Sequence, residues 1–201
     1  SKVHLLVLFD TTSTKSNIDG FLSACGVDLA NNTPKNVFEI LKIAQERNAL
    51  VIPSHIDDMN AGIIKLGDEA QSKLLNNDYI HGIQIINKGM LTSSDETFDG
   101  DPNKSKLNNL KNKIKKFSKV CLTFSDNPDE EYPSKHSING IGKYYSWVKM
   151  DESVTLEGLR QALLFPQRIK NYFESPSNPY EYPELWLKSI NIENTLVTKD
   201  K

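Results

Sequence analysis

The sequence of 201 residues is short of most features that identify a protein by a compact motif. It has two cysteines, Cys25 and Cys121, far apart and outside any Cys-x-x-Cys pattern. That excludes a disulfide framework and a cysteine-rich zinc module, and it points to reduced thiols in a cytosolic protein. Cys121 sits in an apolar run and is expected to be buried. No stretch approaches the ~20 consecutive apolar residues that a bilayer span needs, so no membrane partner is expected. Lys and Arg number 24 against 26 Asp and Glu, a net charge of -2, so no global basic field advertises nucleic acid. There are four histidines, His4, His55, His81 and His136, and no two are two apart, so no His-x-His pair is available to a metal. No signal peptide is expected, and the sequence shows no internal repeat. The chain opens with Ser1-Lys2 and passes directly into an apolar run, which predicts a segment of a longer protein.

What is present is a regular alternation. Val3 to Phe9 is nearly continuous apolar sequence, and shorter runs follow at Ala49–Ile52, Ile83–Ile86 and Val120–Phe124. Such runs fit strands buried on both faces. Helical spacing lies between and after them. Thr33-Pro34 reads as an N-cap with proline at the first helical position, followed by Val37, Ile40, Leu41 and Ala44. Leu107, Leu110, Ile114 and Phe117 mark a second helix, and Leu156, Leu159, Ala162 and Leu163 a third. Strand–helix alternation predicts an α/β fold with a mainly parallel sheet. Residues 87 to 105 read as loop. Residues 174 to 183 hold three prolines and no apolar period, a linker composition. The expected organisation is one domain over 1–173, a linker over 174–186, and a following domain beginning at 187–201, where Leu185 to Ile192 is again strand-like.

Parallel sheets bind ligands at the C-terminal ends of their strands. His55 directly follows the second run, Asp126 directly follows the fourth, and His4 lies within the first. Imidazole and carboxylate are ligands for Zn, Mn or Fe. Singly, each residue is more often a core histidine or a turn cap. Strand-end placement of two of them, His55 and Asp126, with His4 pointing inward from its strand to join them, makes the three the candidate metal ligands, expected to face one polar cleft. His81 reads as a surface residue beside Asp78, and His136 as a loop residue among Asp129, Glu130 and Glu131. Lys104, Lys106, Lys111, Lys113, Lys115 and Lys116 cluster on one helix, a face that can touch phosphates but is more often only solvated.

A family resemblance enters at these residues. Val3-His4-Leu5-Leu6, Leu50-Val51-Ile52-Pro53-Ser54-His55 and Phe124-Ser125-Asp126 resemble the later motifs of the PHP (polymerase and histidinol phosphatase) family. Residues Tyr145–Met150, Thr155–Leu163 and Pro166–Ile169 resemble the TrlF-like branch, in which an SMC/ABC-like ATPase follows and which includes anti-phage defence proteins. The resemblance covers roughly residues 3 to 170. It implies part of a distorted (β/α)7 barrel, metal ligation by His4, His55 and Asp126, and a phosphoesterase acting on a nucleic acid or nucleotide in the cytoplasm. The implied cofactor is a divalent Zn, Mn or Fe ion in the intact domain, with none held tightly by this segment alone. The implied partners are the missing N-terminal half and the C-terminal ATPase of the same protein. Absent early strands would leave a sheet edge open, which predicts a homo-oligomer. The sequence also departs from the family. The His-x-His strand has no counterpart, position 128 is proline where the family's Ser-Asp-x-His motif has its histidine, and Gln84 stands where a carboxylate is common. These departures keep two alternatives open: a non-catalytic scaffold or sensor serving the ATPase, and an unrelated α/β domain.

Overall fold

The computed structural model describes residues 3–28, 33–92, 98–124, 142–150 and 154–179. Its elements are β1 (Leu5–Leu8), α1 (Lys15–Cys25), α2 (Val37–Glu46), β2 (Leu50–Pro53), α3 (Asp68–Leu75), β3 (Gly82–Gln84), α4 (Lys104–Lys116), β4 (Val120–Leu122), β5 (Ser146–Val148), α5 (Leu156–Leu163) and β6 (Ile169–Asn171). This is a mixed α/β fold. The four apolar runs become β1 to β4, and the three helical patterns become α2, α4 and α5. The cap of α2 is Asn36 rather than Thr33. The Asn36 side chain accepts from Phe38 and Glu39 N–H while Glu39 reaches back to Asn36 N–H. Thr33 instead donates its hydroxyl to the Cys25 carbonyl.

β3 and β4 pair in parallel, with Gly82 opposite Val120. β1 and β2 pair antiparallel, with Leu8 opposite Leu50 and Leu5 opposite Pro53. β5 and β6 are antiparallel as well. The mainly parallel sheet expected from alternation is thus realised at β3–β4 and not at the two other ladders. A single helix, α4, joins β3 to β4 and carries the chain back to the start of the layer, as a parallel neighbour requires. Between β1 and β2 the chain passes through α1 and α2 and re-enters beside the end of β1, with Leu8 opposite Leu50. β2 and β3 are bridged where Ile56 N–H donates to Gln84 O (2.9 Å), and Ile85 N–H donates to Leu122 O (3.0 Å). The described residues form no closed barrel.

Strand residues alternate between two cores. Val51, Ile83 and Ile85 face helices α1 to α4 in a large cluster with Leu41, Leu74, Leu110 and Ile114. Leu50, Ile52, Val120 and Leu122 face the other way, against Leu156, Ala162 and Leu163 of α5 and Ile169 of β6. Gly82 is needed on that second side, since a Cβ there would meet one Leu163 methyl and one Leu122 methyl, each at 3.0 Å. The buried thiol is Cys25; Cys121 is only half-buried. No described helix is long and apolar enough to cross a membrane.

Candidate functional site

Two of the three candidate ligands come together. His55 Nε2 lies 2.9 Å from His4 Nδ1, with the rings edge-to-face at 4.9 Å and 77°. The antiparallel ladder makes this contact. Ser54 N–H donates to His4 O (3.0 Å), carrying the β1–β2 pairing one step past Leu5–Pro53 and setting His4 beside the residue that follows β2. Had β1 run parallel to β2, His4 would lie at the other end of the layer. By strand alternation from Leu6 and Leu8, His4 projects on the side that carries α5 and the β5–β6 pair. His4 is exposed and His55 is buried, so the pair sits at the border between core and solvent. Asp126 and His136 lie outside the described residues.

His55 is held in an uncommon backbone conformation, φ 31°, which a non-glycine residue adopts only where its surroundings fix it. The restraints are visible. His55 N–H donates to the Gln84 side-chain oxygen (3.1 Å) and its carbonyl accepts from Asp58 N–H (2.9 Å). Gly62 closes the turn. A Cβ at Gly62 would sit 2.5–2.7 Å from the carbonyl oxygens of His55, Ile56 and Asp58, so no side chain fits there. Next along, the buried Asp57 carboxylate accepts from Ile86 N–H (3.0 Å) and Asn87 N–H (2.8 Å), tying this turn to the end of β3. Burial pushes the Asp57 carboxyl above its ordinary range, and the two backbone donors partly offset that.

Gln84 therefore has a position and a task. It ends β3, and its side-chain oxygen is engaged with His55 N–H. Gly62 and Asp57 escaped sequence reading. A lone glycine and an Asp after a strand are ordinary turn signals, and only the threefold carbonyl crowding and the distant backbone donors distinguish them.

The other candidates separate from this site. His81 precedes β3 and so lies at the opposite end of the layer, half-buried. Burial, then the Lys119 and Arg160 cations, hold its pKa below the usual imidazole value, with Asp78 and Glu157 opposing. The lysine face of α4 is partly built into the fold. Lys113 is buried against Asp68 and donates to Gln71 Oε1 (2.8 Å), while the buried Lys111 donates to Thr92 Oγ1 (3.1 Å) beside the Phe98 ring. A cleft of about 450 Å³, lined by Phe9, Thr12, Ser16, Asn17 and Arg47, opens at the far end of β1 from His4. Among the described residues no group of three or more His, Cys, Asp or Glu is arranged to hold a metal ion. No protein-family model, curated protein or solved structure matches the chain.

Proposed function

We propose that this chain is part of a metal-dependent phosphoesterase domain of the PHP type, cleaving a phosphoester in a nucleic acid or nucleotide and joined to an ATPase beginning at 187–201. On this reading the described strands belong to a partial (β/α)7 barrel, completed by the protein's N-terminal half. The observation that carries the reading is the His4–His55 contact, because chance gives two histidines 51 positions apart in the sequence no reason to bring ring nitrogens to 2.9 Å. Nitrogens at that separation fit neighbouring positions on one first-row ion. With metal–nitrogen bonds of ~2.0–2.1 Å they subtend about 90°, the angle between adjacent octahedral sites. The ligands would be His4, His55 and Asp126, with others from the N-terminal half. The divalent ion, Zn, Mn or Fe, would activate water and neutralise charge on the departing oxygen. The chain's own contribution is positioning: Gln84 and Gly62 fix the His55 backbone, and Asp57 anchors the following turn to β3.

Metal-dependent hydrolysis of an activated phosphodiester by the full-length protein tests this. His55→Ala and His4→Ala are expected to lower both bound metal and turnover, the latter by at least about 100-fold, the range typical of disturbed metal sites. Full activity in both variants sinks the proposal. A scaffold reading is favoured by one observation, the engagement of Gln84 with backbone where a carboxylate would bind metal. Under it the full-length protein purifies metal-free, hydrolyses no phosphodiester, and the histidine variants alter only the ATPase rate. β1 has a strand partner on one side only among the described residues. Self-association through that open edge is part of the proposal, and light scattering would measure it.

A further inference from the structure

The β5–β6 pair carries a second surface. Its ladder runs beyond the strands proper: Tyr172 N–H donates to Tyr145 O (3.0 Å) and Lys149 N–H donates to Arg168 O (2.8 Å). With Trp147 opposite Lys170, alternation puts Tyr145, Trp147, Lys149, Arg168, Lys170 and Tyr172 on one face. No acidic residue occurs in that set. The opposite face carries Val148 and Ile169, which pack into the smaller core. The outward face is thus a row of aromatic rings followed by cations, and the core requires neither.

The rings form one connected row. Tyr145 lies 5.3 Å from Trp147 and 5.3 Å from Tyr172, edge-to-face in both cases. Their polar edges are anchored to the chain that follows β6. Trp147 Nε1 donates to Ser175 O (3.1 Å) and Tyr145 Oη to Pro176 O (2.6 Å). All three rings remain half-exposed. Anchored rings lose little freedom when a ligand stacks on them. The row is also well placed. Thr123, at the end of β4, donates to Tyr145 O (2.5 Å) and accepts from Tyr172 N–H (2.9 Å). Tyr145 and Tyr172 therefore stand at the same end of the layer as Gln84 and His55, and the β5–β6 pair packs on the side to which His4 projects.

We infer that the Tyr145–Trp147–Tyr172 face, with Arg168 and Lys170, is a binding surface for single-stranded nucleic acid. Bases of any identity stack on aromatic rings while the backbone phosphates meet the cations, the combination that sequence-tolerant single-strand binders use. A duplex hides its base faces and would gain only the phosphate contacts. An acidic polypeptide would satisfy the cations and leave the rings without planar partners. The surface stands on its own geometry and needs no metal at the histidine pair.

Fluorescence anisotropy of a labelled oligothymidylate of about 12 nucleotides, in EDTA and at about 50 mM salt, tests the inference on the full-length protein without the metal reading entering. Binding is expected, and its loss on Trp147→Ala is the readout of stacking. Trp147→Ala should weaken binding roughly 5- to 150-fold. Arg168→Glu with Lys170→Glu should weaken it and flatten the salt dependence by at least about one unit of log slope. Lys106→Glu with Lys115→Glu on α4 should leave it unchanged. An oligouridylate arm distinguishes RNA from DNA, and either supports the surface. Equal binding of a duplex, equal competition by polyglutamate, loss of binding in the α4 variant alone, or no binding by protein shown folded by circular dichroism would each overturn it.

Discussion

The two ends of the sheet hold similar side chains and use them in opposite ways. At the end where β2, β3 and β4 begin, cations and hydroxyls finish backbone carbonyls. Lys119 donates to Asn77 O (3.0 Å) and Ile80 O (2.6 Å), Arg160 to Asn48 O (2.9 Å), and Tyr79 to Ala49 O. At the end where those strands stop, Gln84 and Asp57 accept from backbone N–H groups, and two imidazoles are left facing each other. The first arrangement satisfies loop carbonyls. The second holds His55 in an uncommon backbone conformation and sets its ring against that of His4.

That contrast can be broken at several points. The largest effect is expected at Gly62. Gly62→Ala drives a methyl into three carbonyl oxygens and should cost about 3 kcal/mol, the upper part of the usual overpacking range. Gly67→Ala, where no neighbour lies within 4 Å, should change stability by less than about 0.5 kcal/mol. Urea unfolding of the pair measures both, and equal losses would show that the His55 turn is not clamped. At the opposite end, Lys119→Met strips two carbonyls of their donor and should cost about 1 kcal/mol while leaving the phosphodiester turnover proposed above unchanged. A loss of turnover there would erase the distinction between the ends.

A pH series sharpens the comparison further. His81 has a folded pKa held below the usual imidazole value of 6.5, chiefly by burial. The unfolded chain therefore takes up the proton first as pH falls. Stability from this group is full above pH 6.5 and is lost as pH drops through the window beneath it. His81→Gln should flatten stability across that window and leave it unchanged above. A wild-type slope that survives the substitution would assign the dependence elsewhere. The smallest expected effect concerns Cys121, whose thiol is pushed up to about 12 by burial and by the Asp57 and Glu174 carboxylates. Alkylation of Cys121 at mildly alkaline pH should be much slower in the folded protein than in denaturant, and equal rates would show the site open.

The strands beneath both ends were legible in the sequence because β2 is buried on both faces and therefore reads as an unbroken apolar run. α1 and α3 were not. Of the eleven residues of α1 only Phe21 and Cys25 are buried, and α3 buries Gln71 with Leu74 and Leu75, too few apolar positions to display a period. β5 and β6 escaped because their outward face holds aromatics and cations, which blur the polar–apolar alternation. His4, His55 and Asp126 were expected to converge; His4 and His55 do meet, Asp126 lies outside the described residues, and the meeting depends on an antiparallel pairing that alternation argues against.

The unit from β1 through β2 has a consequence in the order of events during synthesis. Every element that brings His4 against His55 lies before residue 56, and the β1–β2 ladder closes that stretch on itself. Within this chain a ribosome has delivered both imidazoles, and the two helices that fold β1 back onto β2, well before Gly62 and long before Gln84 emerge. The pair can form as an early, loosely held encounter, as domains and their parts fold from the N-terminal side. The later residues then act as a latch: Gly62 lets the turn close, and Gln84 seizes the His55 N–H once β3 arrives.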